Sequence, residues 1–183
     1  DTKPVFHGSD IEKICSYYNL KKENIVKFGA NVNPLGLSQK AGRAIAEHVD
    51  ILSSYPDREY TSLRNTISGY CNIPADFILP GNGSSELISL LIQERAPKHT
   101  LILGPTYPSP EDQEYYHLQE SNDFEPDIPD LCRKLEQGYD FLILCNPNNP
   151  TSSAITQEEL RRLIGFCAEK NIFVMIDETY VEF

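Results

Sequence analysis

Residues 141–151 read FLILCNPNNPT, and residues 172–180 read IFVMIDETY. Each stretch starts with an unbroken apolar run and becomes polar at one point, at Asn146 and at Asp177. The segment between them carries apolar residues at helical spacing behind a capping box at residues 156–159. Apolar strands that lack alternation and are joined by helices are typical of a parallel sheet buried on both faces.

The same pattern extends toward the N-terminus as far as residue 77. Short apolar runs at residues 77–79, 101–103 and 115–118 predict three more strands. The first of them leads into a glycine-containing segment and then into residues 87–92, which are rich in leucine and isoleucine and predict a helix. Strands and helices therefore alternate through this half of the chain.

The N-terminal part of the chain predicts small helices instead. Ser9 and Glu12 have the spacing of a capping box, which would open a helix that runs to about Tyr18. We therefore predict an α/β fold with three layers, α/β/α, and a mostly parallel sheet. The sheet would belong to residues 76–183, and an arm of small helices would occupy residues 1–75.

Composition and charge argue against several classes of protein. The 183 residues carry a formal net charge of -11, which opposes contact with phosphate backbones, so we expect no nucleic-acid partner. No apolar run approaches the ~20 residues of a membrane span, and no signal sequence is visible, so we expect no membrane association. The five cysteines form no Cys-x-x-Cys pair and the four histidines are far apart. This pattern predicts reduced thiols in a cytoplasmic protein without a metal site.

Three polar clusters directly follow predicted strands, at residues 81–85, 146–151 and 177–180. Ligands of parallel sheets bind beyond the carboxyl ends of the strands, so we expect the three clusters to share one rim of the sheet. Their common location is stronger support for a ligand site than any single motif.

Each cluster has a structural interpretation beside the functional one. Residues 81–85 could cradle a phosphate, or they could form a glycine turn with a serine cap. The asparagines of residues 146–151 could direct their amides at a ligand or could cap turns. Asp177 could serve a ligand, since an unpaired carboxylate at the end of an apolar strand is costly, or it could cap a following helix. In the second case Tyr180 would be a packed aromatic residue.

Together the motifs resemble those of class I and II aminotransferases, which are pyridoxal-phosphate (PLP) enzymes of fold type I. The motifs are Gly-Asn-Gly-Ser, Asn-Pro-Asn-Asn-Pro-Thr and Asp-Glu-Thr-Tyr, in that order. Within this group the chain is most similar to threonine-phosphate decarboxylases and histidinol-phosphate aminotransferases, because of His7-Gly8, the FGANVNPLG of residues 28–36, and Tyr55-Pro56-Asp57. The resemblance covers the whole chain and implies that residues 76–183 are part of the PLP-binding large domain.

The resemblance implies a set of cofactor contacts. Asp177 would pair with the pyridine nitrogen and keep it protonated, while Asn149 and Tyr180 would bond to the phenolic oxygen of the ring. Tyr107 would stack on the ring face. The phosphate would be held by Asn82, Gly83 and Ser84. Asp177 and Tyr180 are the catalytic candidates in this chain.

The resemblance also implies contacts with a substrate and with a second subunit. His7, Gly8, Asn31 and Asn149 would contact a small amino-acid substrate. Tyr55 would reach the cofactor phosphate of the neighbouring subunit, which implies a homodimer.

The sequence departs from the family pattern most clearly in its lysines. The Schiff-base lysine of the family lies in a Ser-x-x-Lys segment beyond the Asp-x-x-Tyr motif, and none of the nine lysines here has that context. We therefore expect the chain to be truncated before this lysine and to be inactive alone. The family's last two sheet strands would then be missing between the strand of residues 77–79 and the strand that ends at Asp177. In addition, the segment from Tyr107 to Tyr115 is shorter than the helix usual there, and Ser152 replaces a glycine.

The implied activity of the parent protein is a PLP-dependent amino-group transfer from an amino acid, specifically a phosphorylated one such as histidinol phosphate. The alternative is a threonine-phosphate decarboxylase of the cobalamin-pathway type, because both reactions share every motif present here. A second alternative is a non-catalytic, truncated module of the PLP fold.

Overall fold

The computed structural model describes residues 4–28, 31–106 and 113–182. The chain divides into two compact units, Asp1–Tyr60 and Thr61–Phe183. The boundary that the sequence predicts at residue 75 is of another kind, because it separates an N-terminal arm from a cofactor-binding domain. That boundary stays a prediction.

The second unit is built around a parallel sheet of four strands. The strands are β1 (Thr100–Gly104), β2 (Glu114–His117), β3 (Phe141–Cys145) and β4 (Phe173–Asp177), and their order in the sheet is β2-β1-β3-β4. All three pairings are parallel, which confirms the predicted α/β fold. Cys145 pairs with Asp177, so the polar residues after β3 and β4 begin side by side.

The described residues of this unit form four α-helices: α3 (Thr61–Cys71), α4 (Ser84–Arg95), α5 (Ile128–Leu135) and α6 (Gln157–Glu169). The predicted capping box of α6 is present, because the Thr156 side chain accepts from the Glu159 N–H and the Glu159 carboxylate accepts from the Thr156 N–H. α5 begins at a different cap, the Asp127 carboxylate, which accepts from the Asp130 N–H at 2.9 Å.

The core lies between the sheet and the pair α5 and α6. The helices contribute Leu131, Leu135, Leu163 and Cys167, and β1 and β3 contribute Leu101, Leu103, Leu142 and Leu144. α4 contacts residues on the opposite face of the sheet, where the Arg95 guanidinium lies 3.9 Å from the centre of the Phe173 ring and Phe173 stacks on Phe141. Helices on both faces explain why the strands are apolar without alternation.

The first unit contains α1 (Ile11–Tyr18) and α2 (Gln39–Glu47). Phe6 packs edge-on against Tyr17 at 5.5 Å between ring centres, and Ile11 is the single buried residue among those described in this unit. Large apolar side chains of the same unit are exposed, among them Leu35, Leu52 and Tyr55.

Two local predictions were wrong. Residues 77–79 form no strand: a 3-10 turn, Ala75–Phe77, is followed by irregular backbone, and Leu79 is 68% exposed. A strand needs a neighbour for its backbone hydrogen bonds, and no described strand lies beside this segment. Ser9 does not cap α1 either, because Asp10 holds the cap position and the Ser9 hydroxyl lies 2.7 Å from Nδ1 of His7.

Candidate active site

The loop of residues 81–85 leads directly into the first turn of α4. Gly83 precedes the helix with φ +83°, a backbone conformation that favours glycine. A Cβ at Gly81 would lie 2.7 Å from Cδ2 of Leu87 and 3.0 Å from Oε2 of Glu86, so only glycine fits there without displacement. The loop therefore favours glycine at two positions, at Gly83 for its backbone conformation and at Gly81 for its packing against Leu87 and Glu86.

A carboxylate already contacts this loop. Oε2 of Glu86 accepts a hydrogen bond from the Asn82 N–H at 2.5 Å, although both residues are exposed. An N–H group at the start of a helix is a favourable partner for an anion. The contact shows that the loop presents a donor N–H to a negatively charged oxygen.

Asp177 ends β4 and begins a turn. Its Oδ1 accepts from the Thr179 N–H at 2.9 Å and from the Thr179 hydroxyl at 2.6 Å, and the Val181 N–H closes the turn on the Glu178 carbonyl. The described residues after Asp177 are in turns as far as Glu182, and both interpretations of Asp177, as a ligand group and as a helix cap, stay predictions. Its other carboxylate oxygen is not engaged by the turn.

Cys145 is the sheet neighbour of Asp177 and is buried. Burial raises the pKa of its thiol, a hydrogen bond from the Asn149 backbone opposes this shift, and the charge of Asp177 adds to it. The thiol donates to the Pro147 carbonyl at 3.1 Å. Burial therefore favours the neutral form of the Cys145 thiol beside Asp177.

One pocket joins the glycine loop to the end of β4. Its volume is about 420 Å³, and its rim is formed by Gly81, Gly83 and Ser84 on one side and by Asp177, Glu178 and Thr179 on the other. Its apolar wall consists of α4 and β4 residues, namely Leu87, Ile88, Leu91, Met175 and Ile176. Two of the three predicted clusters therefore border the same space. The apolar wall lies between α4 and β4, where the family resemblance places two further strands, and that placement stays a prediction.

The asparagine loop after β3 is held mainly by its own side chains. Asn148 is the buried member, 7% exposed, and its Nδ2 donates to the Thr151 hydroxyl at 2.7 Å and to the Pro105 carbonyl at 3.0 Å. Oδ1 of Asn146 accepts from the Ile155 N–H at 2.8 Å. Asn149 is half-buried, and its side chain takes no part in these hydrogen bonds of Asn146 and Asn148.

The structure places the remaining predicted site residues as follows. Tyr180 is half-buried in the turn after β4, and neither it nor Asn149 is among the described residues that line the pocket. Tyr107 lies outside the described residues. In the first unit, His7 and Gly8 are part of a turn closed by the Asp10 N–H on the His7 carbonyl at 2.9 Å.

Asn31 and Tyr55 also belong to the first unit. Asn31 is exposed in the irregular segment before α2, and the Tyr55 side chain is fully exposed. The roles of these residues stay predictions, because each unit is defined separately.

Two residues of this region were not predicted from the sequence: Glu86 and Asn148. Glu86 lies three residues after Gly83, so its carboxylate can reach back to the loop, and that spacing was the available signal. Asn148 has no such local signal, since its partner Pro105 lies 43 residues away.

Neither a membrane span nor a metal cluster emerges from the described parts of the chain. No helix there is long and apolar enough to cross a bilayer. No group of three or more histidine, cysteine, aspartate or glutamate side chains in those residues could hold a metal ion.

Comparison with known proteins gives a consistent result. The chain is 27% identical to threonine-phosphate decarboxylase of Salmonella typhimurium over 97% of its own length and 50% of that protein. It is 30% identical to histidinol-phosphate aminotransferase of Bacillus velezensis over 99% of its own length and 52% of that protein. The crystal structure of histidinol-phosphate aminotransferase from Clostridium acetobutylicum matches with a TM-score of 0.74 and 31% identity, over 84% of this chain and 47% of that one.

The chain thus spans about half the length of the curated relatives it matches. The family model of Aminotransferase class I and II, a family whose cofactor is pyridoxal phosphate, matches residues 23–183. With most of its length matched and a parallel sheet of the same fold, the chain belongs to the class I and II aminotransferases.

Proposed function

We propose that the complete protein is a PLP-dependent aminotransferase that acts on an amino acid or on a phosphorylated derivative of one, such as histidinol phosphate. The observation that carries the proposal is the pocket whose rim unites the glycine loop with Asp177. Family membership supplies the cofactor, and relatives named histidinol-phosphate aminotransferase support the substrate class.

The residues of this rim fit the cofactor at both ends. Gly83 and Ser84 present backbone N–H groups at the start of α4, and the Asn82 N–H already bonds to a carboxylate oxygen, which suits a phosphate. Asp177 offers a carboxylate at the far side of the same pocket, which suits a protonated pyridine nitrogen.

When bound, PLP supplies a ring that accepts electrons from the α carbon of the substrate. Residues of this chain would orient the ring and control its protonation. Asp177 would hold a proton on the pyridine nitrogen, and its turn with Thr179 fixes the orientation of its carboxylate through Oδ1. Asn149 and Tyr180 would donate to the phenolic oxygen, Tyr107 would cover one ring face, and the glycine loop would anchor the phosphate.

The substrate and partner contacts are proposed on the family resemblance. His7, Gly8, Asn31 and Asn149 would bind the amino-acid substrate. Tyr55, which is fully exposed in this chain, would complete the phosphate site of a second copy in a cytoplasmic homodimer. The Schiff-base lysine would be supplied from beyond the residues of this chain.

Decarboxylation of threonine phosphate is the second candidate function. It is favoured by the match to threonine-phosphate decarboxylase over 97% of this chain. Both reactions would use the same rim residues and differ in which substrate bond is aligned with the ring.

The proposed function can be tested on the purified complete protein. Incubation with PLP should give a stoichiometric absorption band in the visible range that survives dialysis. Histidinol phosphate should then transfer its amino group to a 2-oxo acid, which becomes the corresponding amino acid, while the donor becomes a ketone. Carbon dioxide release from threonine phosphate would select the decarboxylase, and absence of any retained band would favour the non-catalytic alternative.

A further inference from the structure

Asn148 joins the loops that follow two neighbouring strands. Its side-chain Nδ2 donates to the Pro105 carbonyl at 3.0 Å, and Pro105 directly follows β1, whereas Asn148 itself follows β3. The same nitrogen donates to the Thr151 hydroxyl, which lies 2.7 Å from the Ser153 hydroxyl. One amide therefore connects two segments at the carboxyl edge of the sheet.

The backbone of Asn148 fixes the direction of that amide. Its N–H donates to the Ser153 carbonyl at 2.8 Å, and its carbonyl accepts from the Ser152 N–H at 2.8 Å. With both backbone groups engaged and the side chain 7% exposed, the residue has little freedom to turn. The asparagine loop thus sets the position of Nδ2, and the hydrogen bond from Nδ2 holds the Pro105 carbonyl in place.

The amide is kept at an energetic cost. Its Oδ1 is buried and has no hydrogen-bond partner among the described residues. A buried acceptor without a partner costs about 1–3 kcal/mol, which offsets much of what the two donated bonds contribute. The Asn148 side chain therefore adds little net stability to the fold, and the presence of a buried acceptor without a partner calls for another explanation.

We propose that Asn148 is a positioning residue of the cofactor site, and this inference rests on the proposed function. Its amide links the loop that carries Asn149 to Pro105, which directly follows β1. Asn149 is proposed to contact the ring oxygen of PLP. The hydrogen bond therefore fixes the position of the Asn149 loop relative to the end of β1.

Asn148→Leu in the complete protein separates positioning from stability. Leucine has nearly the shape of asparagine and removes both the donor and the unpartnered acceptor. The Pro105 residue is exposed, so water can reach it, and the Thr151 hydroxyl keeps the Ser153 hydroxyl as partner. We expect an unchanged melting temperature, a PLP dissociation constant raised at least ~10-fold, and altered circular dichroism of the bound cofactor in the visible range.

Asn146→Leu is the matched control, since it makes the same change in the same loop. It removes the acceptor of the Ile155 N–H and leaves that buried residue without its partner. This control should lower the melting temperature and disturb the cofactor spectrum less than Asn148→Leu does. Asn146→Leu should therefore have the larger effect on the melting temperature, and Asn148→Leu the larger effect on the cofactor spectrum.

Three outcomes overturn the inference. Loss of stability by Asn148→Leu in parallel with its loss of PLP would show a purely structural residue. Unchanged affinity and an unchanged spectrum, with normal PLP binding by the unmodified protein, would remove Asn148 from the site and leave the proposed function standing. Failure of the unmodified protein to bind PLP would overturn the proposed function and this inference with it.

Discussion

The glycine loop, residues 81–85, and the asparagine loop, residues 146–151, are held in opposite ways. The asparagine loop is fixed from within, by amides that bond to Pro105, Thr151 and Ile155. The glycine loop is exposed, and its Asn82 N–H donates to the Glu86 carboxylate. One loop is therefore organised before a ligand arrives, whereas the other presents donors that an incoming anion can take over.

If the two loops bind one ligand that also contacts Asp177, loss of the Asp177 charge should impair the enzyme, and Asp177→Asn tests this. Asparagine keeps the Oδ1 that accepts from Thr179, so the turn and the melting temperature should be preserved. The negative charge opposite the pyridine nitrogen is lost. We expect turnover of the complete enzyme to fall by ~100-fold or more, about 2.7 kcal/mol of barrier.

Turnover and PLP affinity should be measured together for this variant. Near-normal turnover would mean that Asp177 does not face the ring. The proposal that the two loops bind one common ligand would then lose its support.

Gly81→Ala tests whether the glycine loop depends on close packing. The added Cβ would lie 2.7 Å from Leu87 and 3.0 Å from the Glu86 carboxylate, so both side chains must shift. We expect a PLP dissociation constant raised by roughly 10-fold, as titration of the visible band would show. Gly69→Ala, in α3 with no atom near its added Cβ, is the control and should stabilise the protein by about 0.5–1 kcal/mol. Equal affinities in the two variants would count against a shaped cradle.

Glu86→Gln gives the smallest expected effect and acts on the contact that distinguishes the loops. Glutamine keeps an acceptor for the Asn82 N–H but removes a negative charge that would repel a phosphate. Because Glu86 is exposed, solvent screens this repulsion, and we expect affinity for inorganic phosphate and for PLP to rise only ~3–5-fold. Glu94→Gln, at the other end of α4, changes the net charge equally and should leave affinity unchanged. Weaker binding by Glu86→Gln would make Glu86 a supporting residue of the cradle.

The sequence predicted the sheet well because its signals there are local. β3 and β4 are unbroken apolar runs that end at a polar residue, and Thr156 and Glu159 form the capping box that their spacing predicts. The run at residues 77–79 misled, because a strand also depends on a neighbour that sequence does not reveal.

The site was predictable only in part for the same reason. Gly83 and Asp177 stand at positions that strand ends and helix starts define, and both border the pocket. Three asparagines in six residues look alike in sequence, and only the contact with Pro105 distinguishes Asn148 from Asn149.

Strand β4 has β3 as its one neighbour among the described residues, and this has a consequence for isotope exchange. The Phe173 N–H donates to the Asp140 carbonyl, and the Asp177 carbonyl accepts from the Asn146 N–H, so residues 173, 175 and 177 turn their backbone groups toward β3. The amides of Val174 and Ile176 point the other way. Amide hydrogen–deuterium exchange should therefore alternate along this strand, with fast exchange at Val174 and Ile176 and slow exchange at residues 173, 175 and 177. Slow exchange at both positions in the complete protein would reveal a further strand on that side.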